Sequence, residues 1–326
     1  MSGKEFDLFE KKIKKFDNVF IMGHKHIDLD AFGAALGIYC YVLNSKKKAY
    51  IIIDDKKIEK SVKKIINDFE NQINIIKSSE AKELCNQNTL LVIVDTNKSY
   101  LLQSEVIFNL VKERVVIDHH NISSSSISEN EALIFNDRSV SSTCEIITNM
   151  LDYHKYLIEP EVATVLLAGI VLDTNNFVIK TTTNTYYAAY YLTKCGADPK
   201  QVQYLFKQDI REYAEMQKVI TEVKVIKNIA ISKGLQTRVY RREELAKIAD
   251  IILLFNNIEA SFVIGKISDG IGISARSMGN IGVGPILETF GGGGDNYEAA
   301  VVIKDKKLNE VFEEVVKKAK KIKEVL

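Results

Sequence analysis

Residues 18–38 read NVFIMGHKHIDLDAFGAALGI. An apolar, β-branched run, Asn18–Met22, stops at a glycine. A polar knot of two histidines and two aspartates follows over residues 24–30, and then a helix-forming stretch, Ala31–Leu43. A strand that breaks into a loop and continues as a helix is the opening of a βα unit. The strand does not alternate apolar with polar residues, so it suits a parallel sheet covered on both faces.

The same punctuation recurs. Tyr50–Ile53 reads as a strand and Ile58–Phe69 as a helix; Leu90–Val94 and Val115–Ile117 are further short β-branched runs. The order βαβα predicts a doubly wound, mainly parallel α/β sheet. Three of the runs end in polar residues: His24 after NVFIM, Asp95 after LLVIV and Asp118 after RVVI. Ligands of open α/β sheets bind beyond the carboxyl ends of the strands, so these groups are expected to meet in space.

Residues 139–200 read as helical, with Pro160 and Pro199 at first-turn positions, Asp198 as a cap, and Ser141 and Ser142 capping the helix that starts beside them. A long helical segment after Ile210, REYAEMQKVITEVKVI, reads as a connector. Beyond it the pattern changes to strand-like Ile229–Ile231, Gln236–Tyr240, Ala260–Lys266 and Gly270–Arg276, a helix over Arg242–Leu253, a glycine break at Gly291–Gly294, a strand Ala299–Ile303 and a final amphipathic helix. The expected organisation is a catalytic, metal-binding domain over 1–211, a helical connector over 212–226, and a smaller α/β substrate-binding domain with a mixed sheet over 227–326. The active site is expected in the cleft between the domains.

Composition excludes several classes. The chain has 326 residues, 46% hydrophobic and 27% charged, ordinary for a globular protein. Its longest uncharged apolar stretch, Val162–Leu172, is far short of the roughly 20 residues that span a membrane. The charged N-terminus carries no secretory signal, and the four scattered cysteines form no CxxC pair; both predict a cytoplasmic protein with free thiols. A soluble module of a membrane-anchored parent fits as well. Net charge is +1, from 44 basic and 43 acidic residues. A protein that tracks long nucleic acid carries a basic excess, so a small anionic substrate is expected instead.

Four clusters carry the chemistry: His24, Asp28 and Asp30; Asp95 in VDTN; Asp118-His119-His120; and Asp173, which closes the apolar run GIVLD. One aspartate after a strand is ordinarily a turn or cap residue. Five of them gathered with imidazoles repel one another unless a counter-charge is present. A pair of divalent cations supplies it. Oxygen-rich donors with one or two imidazoles suit Mn²⁺, and two ions about 3.5–4 Å apart suit phosphoester hydrolysis. Zinc is disfavoured, since there is no HExxH and no cysteine ligand set.

In order, HKHIDLD, VDTN, VIDHH and VLDTNNF resemble the four motifs of the DHH phosphoesterase family, and EASFVI, ISARSMG and GGGG resemble the DHHA1 domain that accompanies it. The likeness is greatest to the catalytic module of GdpP-type cyclic-di-AMP phosphodiesterases. The resemblance implies two Mn²⁺ ions, one held by His24, Asp28 and Asp95, the other by Asp30, Asp95, His119 and Asp173, with Asp95 bridging. It implies that Asp118 orients the DHH segment and that His120 contacts phosphate or protonates the leaving oxygen. Arg276 and Ser274 in ISARS, together with Gly292, Gly293 and Gly294, are the implied nucleotide contacts. His26 is left as a loop residue that faces solvent or stacks near substrate. In one respect the chain departs from the family: the glycine run ends in Asp295 where the pattern has histidine, and the five histidines lie at 24, 26, 119, 120 and 154. An ionised carboxylate repels phosphate, so Asp295 is expected to meet a base amino group, a ribose hydroxyl or a cation. The implied reaction is hydrolysis of cyclic-di-AMP to linear pApA. The alternatives are hydrolysis of pApA or short oligonucleotides, and a catalytically weak cyclic-dinucleotide sensor. A homodimer is expected by resemblance alone.

Overall fold

A computed structural model describes residues 3–56, 58–70, 72–207 and 209–322. The chain forms two compact units, Met1–Lys207 and Gln208–Leu326.

The first unit is built on a six-stranded sheet of β1 (Asn18–Met22), β2 (Lys48–Ile52), β3 (Ile75–Ile76), β4 (Thr89–Val94), β5 (Glu113–Asp118) and β6 (Leu133–Asn136). Every pairing is parallel, and the order is β3-β2-β1-β4-β5-β6. The helices are α1 (Gly3–Lys14), α2 (Leu29–Asn44), α3 (Lys60–Asp68), α4 (Ser78–Leu84), α5 (Glu105–Leu110), α6 (Thr143–Tyr153), α7 (Pro160–Asp173), α8 (Thr183–Lys194) and α9 (Pro199–Leu205). Both faces of the sheet are covered, which explains its unbroken apolar strands. Val19, Ile21, Leu90, Val92, Val94, Val115 and Ile117 pack into a core with α2, α6 and α7. The intervening Phe20, Met22, Leu91, Ile93 and Val116 enter a second core with Ala81, Ile107 and Phe108 from α4 and α5. Successive residues of one strand thus serve two cores. Two edge strands, β3 and β6, are additions to the sequence expectation. Each is short, and nothing in the sequence separates it from a loop.

β1 lies beside β4, in register from Asn18↔Thr89 to Met22↔Ile93. The chain leaves β1 toward β2 and leaves β4 toward β5, so the crevice between β1 and β4 is the topological switch point. Small residues bring the helices close above it. A Cβ on Gly33 of α2 would meet Cys144 Sγ at 2.7 Å and Val165 O at 3.1 Å, and one on Gly169 of α7 would overlap Cys144 Sγ and lie 3.0 Å from Asp30 Cα. α7 is apolar on all sides and buried from Val162 to Val171.

The second unit comprises α10 (Ile210–Ile220), β7 (Lys224–Ile226), β8 (Ile229–Lys233), α11 (Arg242–Leu253), β9 (Ala260–Ile267), β10 (Gly270–Ser277), α12 (Val283–Glu288), β11 (Gly293–Gly294), β12 (Glu298–Ile303) and α13 (Leu308–Ala319). Its mixed sheet runs β11-β12-β10-β9-β8-β7, with β8 and β9 parallel and the other pairs antiparallel. The segment 212–226 falls inside this unit. Met216, Val219 and Ile220 are buried against Leu245, Ile248 and Ile252 of α11. The helix there ends at Ile220, and Lys224–Ile226 pairs with β8 as a strand. Two further expectations are corrected. Gln236–Tyr240 is a turn with a single bridge, Val239 to Lys266, because Tyr240 folds inward and its hydroxyl accepts from Leu235 N. Gly293–Gly294 is a two-residue strand rather than a break. The end of the last predicted helix, 323–326, lies outside the described residues.

Candidate metal centre

The loop after β1 places His24 and Asp28 at the switch point. Asp28 is the N-cap of α2; its Oδ1 accepts from Asp30 N and Ala31 N, both at 3.0 Å, which leaves Oδ2 free to face the crevice. His24 Nδ1 lies 2.7 Å from the Lys25 carbonyl oxygen. A carbonyl can only accept, so Nδ1 donates and the neutral ring keeps its lone pair on Nε2. That atom stands 3.6 Å from Asp28 Oδ2 and 3.3 Å from Asp95 Oδ2.

Asp95 follows β4 in a left-handed conformation, φ 59°. Such backbone strain is tolerated where the surroundings enforce it and gathers at functional sites. Here Asp95 N donates to Ile117 O of β5 at 3.0 Å. The two oxygens of Asp95 face different groups. Oδ2 looks toward His24; Oδ1 lies 3.4 Å from His119 Nε2 and 3.7 Å from His120 Nδ1. His119 Nε2 also stands 3.1 Å from Asp173 Oδ2 and 3.9 Å from Asp30 Oδ2. Three sets of donors thus converge: His24, Asp28 and Asp95; Asp30, His119 and Asp173; Asp95, His119 and His120.

Among the described residues the buried His119 Nε2 has no directed hydrogen-bond partner, although carboxylate oxygens of Asp173 and Asp95 stand 3.1 and 3.4 Å away. An imidazole nitrogen gathered with carboxylates and outside any hydrogen bond suits a cation site. The electrostatics agree. Burial raises Asp30 well above the ordinary carboxylate range, and the Asp95 and Asp173 charges add to it. Asp173 is also raised by burial, partly offset by His119. Burial opposes ionisation of Asp95 too, yet His119 and His24 hold it well below the usual range. Burial likewise disfavours charge on His24 and His119, but their aspartates outweigh it and hold both well above the ordinary imidazole value. The cluster draws positive charge from whatever source it has, protons included. Divalent cations fit this donor set.

Asp118 and His120 stand differently. Asp118 is fully buried; its Oδ2 accepts from Asn97 Nδ2 at 2.6 Å and its Oδ1 lies 2.8 Å from His120 Nδ1. His120 is half exposed. It therefore carries a directed ring nitrogen at the rim of the cluster. His26, φ 58°, is exposed.

Three residues that sequence reasoning passed over hold this arrangement. Asn97, in the quoted VDTN, fixes Asp118 and accepts from Ser126 Oγ at 2.7 Å. Gln103 donates to His24 O and Asp55 Oδ2, both at 2.7 Å, and accepts from Asp54 N at 2.9 Å. Thr143 begins α6 beside Asp30 and Asp95. Of the three, Asn97 had a local signal, as the last residue of VDTN, two positions from Asp95; Gln103 and Thr143 act on residues far away in sequence.

The nucleotide-contact candidates all lie in the second unit and have partners of their own there. Arg276 Nε donates to Asp250 Oδ1 at 2.8 Å, its Nη1 donates to Ala275 O at 3.0 Å and Ser274 Oγ at 3.5 Å, and its Nη2 is 3.5 Å from Glu298 Oε2. Asp295 Oδ1 accepts from Tyr297 N and Glu298 N at 2.7 and 2.8 Å, closing the turn into β12. Gly294, φ 153°, has no room for a side chain beside Glu298 O, and a Cβ on Gly292 would lie 2.5 Å from Ala300 O. Gly293 is open.

A doubly wound sheet with a carboxylate and imidazole cluster at its switch point defines a metal-binding α/β protein. Family models agree with the fold and extend it. Residues 18–170 match the DHH family, N-terminal domain, and residues 219–323 match the DHHA1 domain. The chain belongs to the DHH family and carries a DHHA1 domain. It is 36% identical over 311 residues to the cyclic-di-AMP phosphodiesterase GdpP of Geobacillus thermodenitrificans, a match that covers 93% of this chain and 47% of that protein. The chain thus spans about half the length of the cyclic-di-AMP phosphodiesterases it matches. It is 28% identical to the bifunctional oligoribonuclease and PAP phosphatase NrnA of Mycoplasma genitalium, covering 94% of this chain and 95% of that protein. In fold it is similar to an exopolyphosphatase-related protein of Bacteroides fragilis, with a TM-score of 0.85 at 21% identity, covering 98% and 97% of the two chains. Among the described residues no helix is long and apolar enough to cross a membrane.

Proposed function

We propose that the protein is a metal-dependent phosphodiesterase that hydrolyses cyclic-di-AMP to linear pApA. The observation that carries this reading is the division of Asp95, one oxygen toward His24 and the other toward His119, as a carboxylate shared by two cations requires. In this reading His24 and Asp28 complete one site, and Asp30, His119 and Asp173 complete the other. Divalent cations held there, Mn²⁺ by the donor chemistry, would supply an activated water and charge neutralisation for the phosphoryl group. Asp118 holds His120 through Nδ1, and His120 delivers a proton to the leaving ribose oxygen, which balances the water consumed as the ring opens. Likeness to phosphodiesterases named for cyclic-di-AMP supports the substrate.

Arg276, Ser274, Gly292–Gly294 and Asp295 are proposed to meet the nucleotide. Arg276 would exchange its long contact with Glu298 for a phosphate oxygen while Nε stays on Asp250. Arg276→Ala is then expected to raise KM and leave Mn²⁺ affinity unchanged.

A second reading, cleavage of pApA or short oligonucleotides, is favoured by the match to NrnA over nearly its whole length. One experiment separates the two. Cyclic-di-AMP, cyclic-di-GMP, pApA and a short DNA strand are each incubated with substoichiometric protein and Mn²⁺, and the products are resolved by chromatography. The first reading expects many turnovers of cyclic-di-AMP to pApA, abolished by chelation. Faster loss of pApA than of the cyclic dinucleotide would install the second. Tight binding of cyclic-di-AMP without product would leave a sensor.

A further inference from the structure

Asp30 and Asp95 come from separate elements, the start of α2 and the end of β4, and a third element reaches both. The first two backbone N–H groups of α6 each take one oxygen of Asp30: Thr143 N donates to Oδ2 and Cys144 N to Oδ1, both at 2.8 Å. The Thr143 hydroxyl donates to Asp95 Oδ1 at 3.0 Å. Thr143, Asp30 and Asp95 are all buried. Each carboxylate oxygen carries two lone pairs, so one hydrogen bond per oxygen leaves a lone pair for a cation.

The hydroxyl is directed to this partner by its place in the helix. Thr148, Thr164, Thr174 and Thr193 all donate to the carbonyl four residues back, Cys144, Pro160, Ile170 and Ala189. Thr143 is the first residue of its helix and has no such helical carbonyl behind it. The start of α6 is itself braced. Ser142 Oγ accepts from Glu145 N at 3.1 Å, and the buried Glu145 carboxylate accepts from Ser141 N, Ser141 Oγ and Thr185 Oγ1 at 3.1, 2.6 and 2.8 Å.

We propose that Thr143 is a positioning residue for the metal centre: one turn of α6 sets the spacing and direction of Asp30 and Asp95, and the Thr143 hydroxyl fixes the shared carboxylate. Held this way, two like charges are kept at ligating separation before cations arrive. The inference rests on the two-cation reading above, whatever nucleotide is cleaved.

The test is calorimetric titration of the 326-residue protein with Mn²⁺ alone, for the wild type, Thr143→Val and Thr143→Ser. Valine keeps the methyl group and shape and loses the hydroxyl; serine does the reverse. The proposal expects Thr143→Val to weaken Mn²⁺ binding about 10–100-fold and Thr143→Ser to stay within about 3-fold of wild type, with the same far-ultraviolet circular dichroism in all three. If serine weakens binding and valine does not, the residue acts through packing and the proposal is overturned. Wild-type affinity in the valine variant overturns it alone, whereas a wild type that binds no Mn²⁺ removes the metal reading with it. A valine variant that fails to fold is replaced by Thr143→Ala, judged by the same criteria.

Discussion

At the scale of single residues, two aspartates of the cluster do opposite work. Asp95 has an oxygen toward each group of donors; Asp118 has both oxygens occupied by protein, one by Asn97 and one by His120. Asp95→Asn replaces an anionic oxygen by an amide that cannot serve two cations. Turnover is expected to fall below detection and Mn²⁺ binding by calorimetry to collapse, with circular dichroism unchanged; an active variant would contradict the shared carboxylate. Asp118→Asn leaves one acceptor oxygen for three donors, Asn97, Asn136 and His120, so His120 loses its direction. The expectation is a kcat loss of about 10²–10⁴, the worth of a positioned proton donor, with a smaller change in Mn²⁺ affinity than Asp95→Asn causes. Equal damage to metal binding would place Asp118 among the ligands instead. The ligand candidates were legible because they gather at the ends of apolar runs: Asp95 follows LLVIV, Asp173 closes GIVLD, His119 follows VVID, and His24, Asp28 and Asp30 lie in the polar knot after NVFIM. Thr143 and Gln103 were not. Their partners lie 48 and 79 positions away for the bonds to Asp95 and His24, and no local pattern marks a hydroxyl or an amide for such a bond.

Among elements, the centre depends on how near α2, α6 and α7 approach. Gly169 faces Cys144 Sγ and the Asp30 backbone with no room for a methyl group. Gly169→Ala forces α7 outward and carries Asp173 away from His119 Nε2, now 3.1 Å distant. Overpacking of this kind costs about 1–3 kcal/mol, despite alanine's better helix propensity. Denaturant unfolding should show that loss together with weaker Mn²⁺ binding. A variant as stable as wild type would mean the helices have slack that this packing denies them. Elements were readable in proportion to their length and regularity. α2, α7, α11, β4 and β10 announce themselves by period or by unbroken apolar character. β3 and β6 exist because a neighbour already presents an edge, and their own residues do not specify them. TEVKVI after Ile220 was misread as helix because its apolar residues also fit a helical spacing; pairing of β7 with β8 decides between the two. For Asp295 the sequence suggests a base amino group, a ribose hydroxyl or a cation, and its carboxylate closes the turn into β12, for which DNYE beside a glycine run has the composition.

For the whole molecule, the placement of the site predicts how metal should act on stability. His24, Asp28, Asp30, Asp95, His119 and Asp173 all belong to Met1–Lys207, and no member of the three donor groups comes from Gln208–Leu326. A ligand that binds only the folded form stabilises what it binds by RT ln(1 + [L]/Kd), about 2.7 kcal/mol at a hundredfold excess over Kd. Mn²⁺ should therefore raise the unfolding transition of the first unit and leave that of the second where it was. The two transitions can be assigned independently. Gly294 adopts φ 153° with its Cα hydrogens against Glu298 O, so Gly294→Ala strains the β11–β12 turn and lowers the second unit's transition alone. In scanning calorimetry with and without Mn²⁺, the transition insensitive to Gly294→Ala should be the one that Mn²⁺ moves upward. Movement of the Gly294-sensitive transition by Mn²⁺ instead would mean that the second unit contributes to holding the ions, and the ligand set drawn from the first unit would be incomplete.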